Sequence, residues 1–186
     1  GLGDVYKRQQ MKSLNLLSEE AVPEDTACLF IFAPATDFTK EEADKVIEYL
    51  ENGGKALVVS NYTDKEMPNF EAVLENYGVQ PVDGIVVEGN TDNYVSQNPY
   101  YLLPNVESGE ITSELSSKSR YVLMPLAQGI RQTENMRDTL EITSLLTTSD
   151  SAYSKTNLEE MQTMEKEEGD ISGPFDLAVS IQESVG

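Results

Sequence analysis

The residues best placed to bind a ligand are polar side chains at the ends of two apolar, strand-length runs. Run 55–60 leads into a polar loop, and run 27–33 leads into a loop that contains proline and threonine. In open α/β sheets, ligands bind outside the carboxyl ends of the strands. The candidate ligand-binding residues at these two positions are Ser60, Asn61, Tyr62, Thr63, Pro34 and Thr36. Neither loop carries a glycine-rich phosphate-binding pattern, so an ordinary polar loop remains the alternative interpretation.

Composition excludes several common kinds of catalysis and metal binding. The 186 residues include no His and 1 Cys, which excludes His-assisted nucleophiles, His-based zinc sites and cysteine clusters. Cys28 lies inside the apolar run 27–33 and has no neighbour that would stabilise a thiolate, so we expect a buried structural cysteine. The sequence therefore predicts no catalytic residue, no metal site, no cofactor and no enzymatic activity.

The charge of the chain restricts its partners. Lys and Arg number 13 and Asp and Glu number 33, which gives a net charge of −20. A surface of this sign repels phosphate backbones, so nucleic-acid binding is not expected. Solubility and like-charge repulsion are sufficient explanations of the charge.

Two groups of oxygen-bearing side chains resemble sites, but each has a simpler explanation. The group that could hold Ca²⁺ consists of Glu88, Asn90, Asp92 and Asn93. It lacks the calcium-loop pattern, so a solvated turn is favoured. The second group lies in the first turn of a predicted helix, where carboxylates interact favourably with the helix dipole. It consists of Glu41, Glu42 and Asp44.

The first half of the chain alternates strand-length runs with amphipathic helices. Thr39 and Glu42 form a capping box, and the apolar positions after it recur at helical spacing as far as Gly53. A second helix is predicted from Pro68 to Tyr77. Strands are predicted at 12–17, 27–33, 55–60 and within 79–88. This alternation predicts an α/β fold with a parallel, doubly wound sheet.

The second half of the chain, from residue 89, is polar and irregular. Strands are predicted at 100–103, 121–126, 139–146 and 174–180. Segment 157–170 carries six acidic residues and one Lys, which predicts a mobile loop or a short solvated helix. We expect one α/β domain over residues 11–186, with a βαβ-rich half at 11–88 and a β- and loop-rich half at 89–186.

The two ends of the sequence predict a fragment. Residues 1–10, GLGDVYKRQQ, lack the apolar centre of a signal peptide. They are similar to the adapter-derived peptides that open truncated metagenomic gene models, so we expect a non-native leader. Only six residues follow the strand predicted at 174–180, so we expect truncation at both ends. No apolar run approaches the roughly 20 residues that a membrane span needs.

Several short motifs follow one another in a characteristic order. A P-x-D loop lies at 23–25, an apolar strand ends in Ala-Pro at 33–34, a helix ending in G-G-K lies at 42–55, and an L-x-x-Y-G-V segment opens 74–87. The stretches TLEITSLLTTSDSAYSK and GPFDLAVSI follow. Together, over residues 12–181, these motifs resemble the gliding-motility-type auxiliary components of ABC transporters.

The resemblance implies a three-layer, Rossmann-like or flavodoxin-like α/β domain with a mostly parallel sheet and an irregular second half. It also implies a relation to class I glutamine amidotransferase-like and intraflagellar-transport-type domains. The implied parent protein is anchored in the cell membrane, with this domain on the extracytoplasmic side and an ABC permease and ATPase as partners. The fragment itself would be soluble, and segments outside this chain would make the membrane contact. The family is not known for enzymatic activity.

This chain departs from the family's pattern in ways that leave alternatives open. The family's first strand and helix, its later strands and its membrane anchor have no counterpart here. The turn after Val59, where amidotransferase-like relatives carry a Cys nucleophile, holds Ser60 and Asn61. We favour a non-catalytic auxiliary or binding domain of an ABC-type transport system. The alternatives are a soluble domain of amidotransferase-like fold that binds small ligands or carbohydrate, and an acidic scaffold module.

Overall fold

The computed structural model describes residues 10–118, 120–158 and 163–184. The first part of the described chain is a unit of two strands and two helices. In order these are β1 (Leu29–Phe32), α1 (Lys40–Glu51), β2 (Ala56–Val59) and α2 (Pro68–Asn76). Strands β1 and β2 pair in parallel, with Leu29 opposite Ala56 and Phe32 opposite Val59. A helix-length crossover joins them, as parallel pairing requires.

Helix α1 begins at the predicted capping box and packs against one side of the parallel pair. The Thr39 hydroxyl accepts a hydrogen bond from the backbone N–H of Glu42 at 3.2 Å, and the Glu42 carboxylate accepts one from the N–H of Thr39 at 2.8 Å. The apolar faces of both helices and the inner face of the strands form one core. Its buried members are Val22, Leu29, Ile31, Ala43, Val46, Met67, Phe70 and Val73.

The second part of the described chain consists of strands of two to eight residues with one short helix. In order these are β3 (Val79–Pro81), β4 (Ile85–Val87), a 3-10 turn (Thr91–Asn93), β5 (Tyr94–Val95), β6 (Asn98–Leu102), β7 (Asn105–Val106), α3 (Ser113–Ser117), β8 (Met124–Pro125), β9 (Ile130–Gln132), β10 (Leu140–Thr147), β11 (Tyr153–Lys155), β12 (Ile171–Ser172) and β13 (Asp176–Glu183).

These strands form three antiparallel sheets. The largest has the order β3-β9-β13-β10-β7, and two smaller sheets have the orders β12-β11-β4 and β5-β6-β8. The longest pairing joins β10 and β13, with Leu140 opposite Glu183. A second core fills the space between these strands. Its buried members are Val82, Val86, Leu102, Leu146, Ala152, Phe175 and Leu177.

The predicted fold class is wrong. The chain does not form a three-layer, Rossmann-like or flavodoxin-like domain with a mostly parallel sheet, because β1 and β2 are the only parallel pair within the described residues. Strand β3 follows α2 closely, as the alternation predicted. It nevertheless pairs antiparallel with β9, with Val79 opposite Gln132, rather than beside β2.

Individual strand predictions differ in outcome. Residues 12–17 form no strand; instead, the Leu16 and Glu19 carbonyls each accept a hydrogen bond from Lys45 Nζ at 2.8 Å. Within 121–126 only Met124–Pro125 is extended and paired, as β8. The strands predicted at 139–146 and 174–180 are confirmed as β10 and β13, the latter beginning two residues later.

Two predictions fall partly or wholly outside the described residues. Residues 1–9 of the expected leader and residues 159–162 of the acidic segment are not described. None of the helices in the described ranges combines the length and the apolar composition that crossing a membrane requires.

Candidate functional site

An open cavity of about 560 Å³ lies at the carboxyl ends of β1 and β2. Pro34 contributes from the loop after β1. Four further lining residues follow β2 directly: Ser60, Asn61, Tyr62 and Thr63. Thr36, the remaining predicted candidate, is not among the lining residues. The structure therefore brings five of the six candidates to one cavity, and ligand binding there stays a prediction.

Hydrogen bonds fix the two loops in relation to helix α2. The side chain at the N-cap position of α2 makes no capping hydrogen bond. Asp37 supplies the acceptors instead, because its carboxylate accepts the backbone N–H of Phe70 at 2.9 Å and that of Asn69 at 3.1 Å. Burial opposes the charged form of Asp37, but these hydrogen bonds outweigh it and hold its pKa below the ordinary value. Lys65 Nζ donates to the Ala35 carbonyl at 2.9 Å, which ties the second loop to the first.

The lining of the cavity is acidic. Its carboxylates are Asp64, Glu66, Glu71 and Asp83. Among the described lining residues, the single cationic side chain is Lys65, which already donates to a backbone carbonyl. Burial raises the pKa of Glu71 above its ordinary value, and the nearby charges of Asp83 and Glu75 raise it further. Such a lining favours cationic groups and neutral hydroxyl groups over phosphates and carboxylates.

The opposite wall of the cavity comes from the second part of the chain. Its members are Pro81, Asp83, Gln128 and Thr156. The turn at Asp83 is fixed because its carbonyl accepts a hydrogen bond from Ser154 Oγ at 2.5 Å. Gly84 follows with a φ of 90°, and a Cβ there would lie 2.0 Å from the Lys155 carbonyl oxygen. Only glycine fits this close approach of two backbones.

This opposite wall was not found from the sequence. The Asp83–Gly84 pair indicates a turn, but a turn signal carries no information about the strand that the turn packs against. Gln128 and Thr156 lie in loops that follow short, weakly patterned strands. The turn signal at Asp83–Gly84 is therefore local, whereas this wall forms only when segments distant in the sequence pair with one another.

Next to the cavity wall, Lys155 forms a buried ion pair that the sequence also did not reveal. Its side chain is 1% exposed, and its Nζ lies 2.6 Å from the Glu167 carboxylate and 3.2 Å from the Asp170 carboxylate. Nζ also donates to the Glu165 carbonyl at 2.8 Å. Burial opposes the charge of Lys155, but hydrogen bonds to Glu167 and Asp170 outweigh it and raise its pKa. Part of the expected solvated acidic segment is therefore bound to Lys155 of β11.

The oxygen-rich group near residue 88 is only in part a solvated turn: Asp92 is exposed, whereas Glu88 and Asn93 are buried within a hydrogen-bond network. The Glu88 carboxylate is buried and accepts the backbone N–H of Ser149 at 3.0 Å and that of Asn90 at 3.1 Å. It also accepts the Ser149 hydroxyl. The Asn93 amide donates to Asn105 Oδ1 at 3.0 Å. These contacts give the group a structural role in joining two loops. No set of three or more His, Cys, Asp and Glu in the described residues is arranged to hold a metal ion.

Cys28 is half-buried, so the expectation of a buried cysteine is wrong. It lies immediately before β1, and its Sγ is 3.8 Å from the carbonyl oxygen of Leu29. Strand alternation places Cys28 on the same side as Phe30, which is the side away from the helices.

Comparisons with known proteins identify a family and a similar fold. A family model described as "ABC-type uncharacterized transport system" matches residues 5–186. A solved structure of the mmIFT52 N-terminal domain is similar, with a TM-score of 0.57 and 19% sequence identity. The similarity covers 81% of this chain and 65% of the solved chain, so this sequence spans less than two thirds of that domain. At this identity the similarity shows the fold alone. None of the curated proteins compared with the sequence matches it.

Proposed function

Since the chain belongs to the ABC-type uncharacterized transport system family, in which it is an auxiliary component, we propose that it is a non-catalytic binding domain acting on the extracytoplasmic side of the cell membrane. Its proposed partners are the ABC permease and ATPase of the same system. The observation that carries this proposal is the family match over residues 5–186.

The chemistry of the cavity supports a binding role rather than catalysis. The sequence contains no His that could act as a general base. Among the described residues that line the cavity, no hydroxyl donates a hydrogen bond to a carboxylate. The Thr156 hydroxyl donates to the Gly169 carbonyl, and the Thr63 hydroxyl accepts from the N–H of Lys65. Neither arrangement activates a nucleophile.

The test of this proposal is recovery of the transporter with the domain. The parent protein, expressed from its own locus with an affinity tag, should copurify with the permease and ATPase from detergent-solubilised membranes. Protease added to intact spheroplasts should cut the domain, because the proposal places it outside the cytoplasm. The proposal would be contradicted if the tagged protein is recovered with neither the permease nor the ATPase. It would also be contradicted if the domain is protected from protease until the cells are lysed.

A second function, binding of a small ligand or carbohydrate, is favoured by the cavity at the ends of β1 and β2. A ligand that binds only the folded state raises the melting temperature with its concentration. We expect neutral sugars and small cationic compounds to give a saturable shift, and phosphate esters to give none. Tyr62→Ala should remove the shift, whereas Thr36→Ala, in the loop after β1 but outside the lining, should keep it. Equal loss in both variants would argue against this site.

A further inference from the structure

The side of the β1–β2 pair that faces away from the helices carries four large apolar side chains. They are Phe30, Phe32, Leu57 and Val59, which we call the outer apolar face. Their exposed fractions lie between 41% and 59%. The alternate residues Leu29 and Ile31 point the other way and are buried under α1 and α2. Within the described residues, the pair therefore has one covered apolar face and one open apolar face.

The outer apolar face is continuous. The register places Phe30 beside Leu57 and Phe32 beside Val59. The two phenylalanine rings stack along the strand, with centroids 5.8 Å apart and an angle of 6° between their planes. Two rows of apolar side chains thus lie side by side, without a polar residue between them.

Two physical arguments indicate that this face is covered in the working protein. Parallel strands occur in proteins almost only where helices cover both faces of the sheet, and here the described residues cover one. In addition, contiguous exposed apolar surface on a soluble domain usually marks an interaction site. Scattered exposed apolar residues need no explanation, but four on adjacent strands in register do.

We propose that the outer apolar face binds an amphipathic helix of a partner polypeptide whose polar side is basic. A helix is the element that covers parallel strands. Its diameter of about 10 Å is close to the total width of two strands whose axes lie about 4.8 Å apart. The basic character follows from the net charge of −20, which attracts a cationic partner. The same charge disfavours a second copy of this chain and an anionic membrane. The inference rests on the proposed function, since a transporter subunit would supply the helix.

The experiment measures binding of two synthetic helical peptides to the 186-residue chain by fluorescence anisotropy. Both peptides carry Leu on one side and span about five turns; one has Lys on its polar side and the other has Glu. We expect the Lys peptide to bind at least about tenfold more tightly than the Glu peptide. Its affinity should fall with rising ionic strength, because part of the attraction is electrostatic.

Matched variants locate the binding surface. Phe30→Ser with Phe32→Ser should weaken binding of the Lys peptide at least about tenfold, while Tyr121→Ser, at a residue 82% exposed elsewhere, should not change it. Circular dichroism and the melting temperature verify that each variant is folded. If the double variant does not fold, Leu57→Ser is used in its place. Equal affinity of the wild-type chain and the folded variant for the Lys peptide would overturn the proposal.

Other occupants of the face would also overturn the proposal, each through its own measurement. Dimers in sedimentation that the patch variant abolishes would identify a second copy. Flotation with phosphatidylcholine vesicles, lost in the variant, would identify a lipid surface. Protection of Phe30 and Phe32 from hydroxyl-radical oxidation within a longer isolated parent chain would identify a segment of the same polypeptide. If the parent carrying the patch substitutions still copurifies with the transporter, this inference fails while the proposed function stands.

Discussion

Replacing Lys155 with Met should destabilise the chain strongly, because it leaves a buried carboxylate without its counter-ion. The Asp170 side chain is 4% exposed and lies 3.2 Å from Lys155 Nζ. Removing one member of a buried ion pair costs about 3–5 kcal/mol. For a chain of this length, about 2–4 °C of melting temperature corresponds to each kcal/mol. The expected fall in melting temperature is therefore about 6–20 °C.

Two further variants separate the buried charge from the rest of the contact. Glu167 also pairs with Lys155, but its side chain is 51% exposed, so Glu167→Gln should cost only about 0–1 kcal/mol. The double variant Lys155→Met with Asp170→Asn should be more stable than Lys155→Met alone, because no unpaired buried charge remains. Urea unfolding followed by circular dichroism gives all three free energies.

The pH dependence of a fourth variant, Asp170→Asn, tests the sign of the Asp170 contribution. Burial raises the pKa of Asp170, but hydrogen bonds from the N–H of Glu167, from Lys155 and from the N–H of Thr156 outweigh it and hold the pKa below 3.8. A carboxyl group whose pKa is lowered on folding stabilises the folded state at pH values above its unfolded-state pKa. This stabilisation is lost as the pH falls through the folded-state pKa. Stability should therefore fall from about pH 5 downwards, and Asp170→Asn should flatten this fall.

Two results would contradict the proposed role of the buried Lys155–Asp170 pair. If Lys155→Met and Glu167→Gln lower the melting temperature by the same small amount, the stabilisation that Lys155 contributes does not depend on the burial of its ion pair. If Asp170→Asn leaves the slope of stability against pH unchanged below about pH 5, Asp170 does not titrate with the lowered pKa.

Three further predictions test the local contacts that hold the loops and helices. Thr39→Ala, which removes the α1 cap, should cost about 1 kcal/mol in urea unfolding, with Thr39→Ser as the near-neutral control. Asp37→Ala should cost about 1–2 kcal/mol, because two N–H groups of α2 lose their acceptor; an unchanged free energy would show that water replaces it. Gly84→Ala should cost more than about 1 kcal/mol, whereas Gly53→Ala, which has no atom within 4 Å of the added Cβ, isolates the cost of positive φ.

Features fixed by neighbouring residues were predictable from the sequence. The capping box of Thr39 and Glu42, the helix after it and the parallel strands 29–32 and 56–59 all follow from short-range patterns. The position of Ser60–Thr63 at a cavity follows from the same reasoning, since loops after parallel strands share one edge. Each of these inferences needs only side-chain chemistry within a few positions.

Features that depend on distant pairing were not predictable in the same way. The partner of β3 is β9, which lies beyond several strands of two to five residues whose patterns are too short to assign. The Lys155 ion pair was missed because acidic residues at 157–170 look solvated in the sequence, and only the fold shows which of them meet a buried amine. The predicted fold class is wrong for the same reason. The alternation of strands and helices in the first half predicts a parallel sheet, but the later strands pair antiparallel.

The position of β13 within the largest sheet has a consequence for synthesis on the ribosome. This strand is the last in the described chain, yet it lies between β9 and β10 in the centre of the sheet. The β1–α1–β2–α2 unit can close its core as soon as residue 76 has left the exit tunnel, since all its strands and helices are then available. The five-stranded sheet has to wait for residues 176–183, and until then β9 and β10 present unpaired edges. Nascent chains are therefore most exposed to misassociation during translation of the second part.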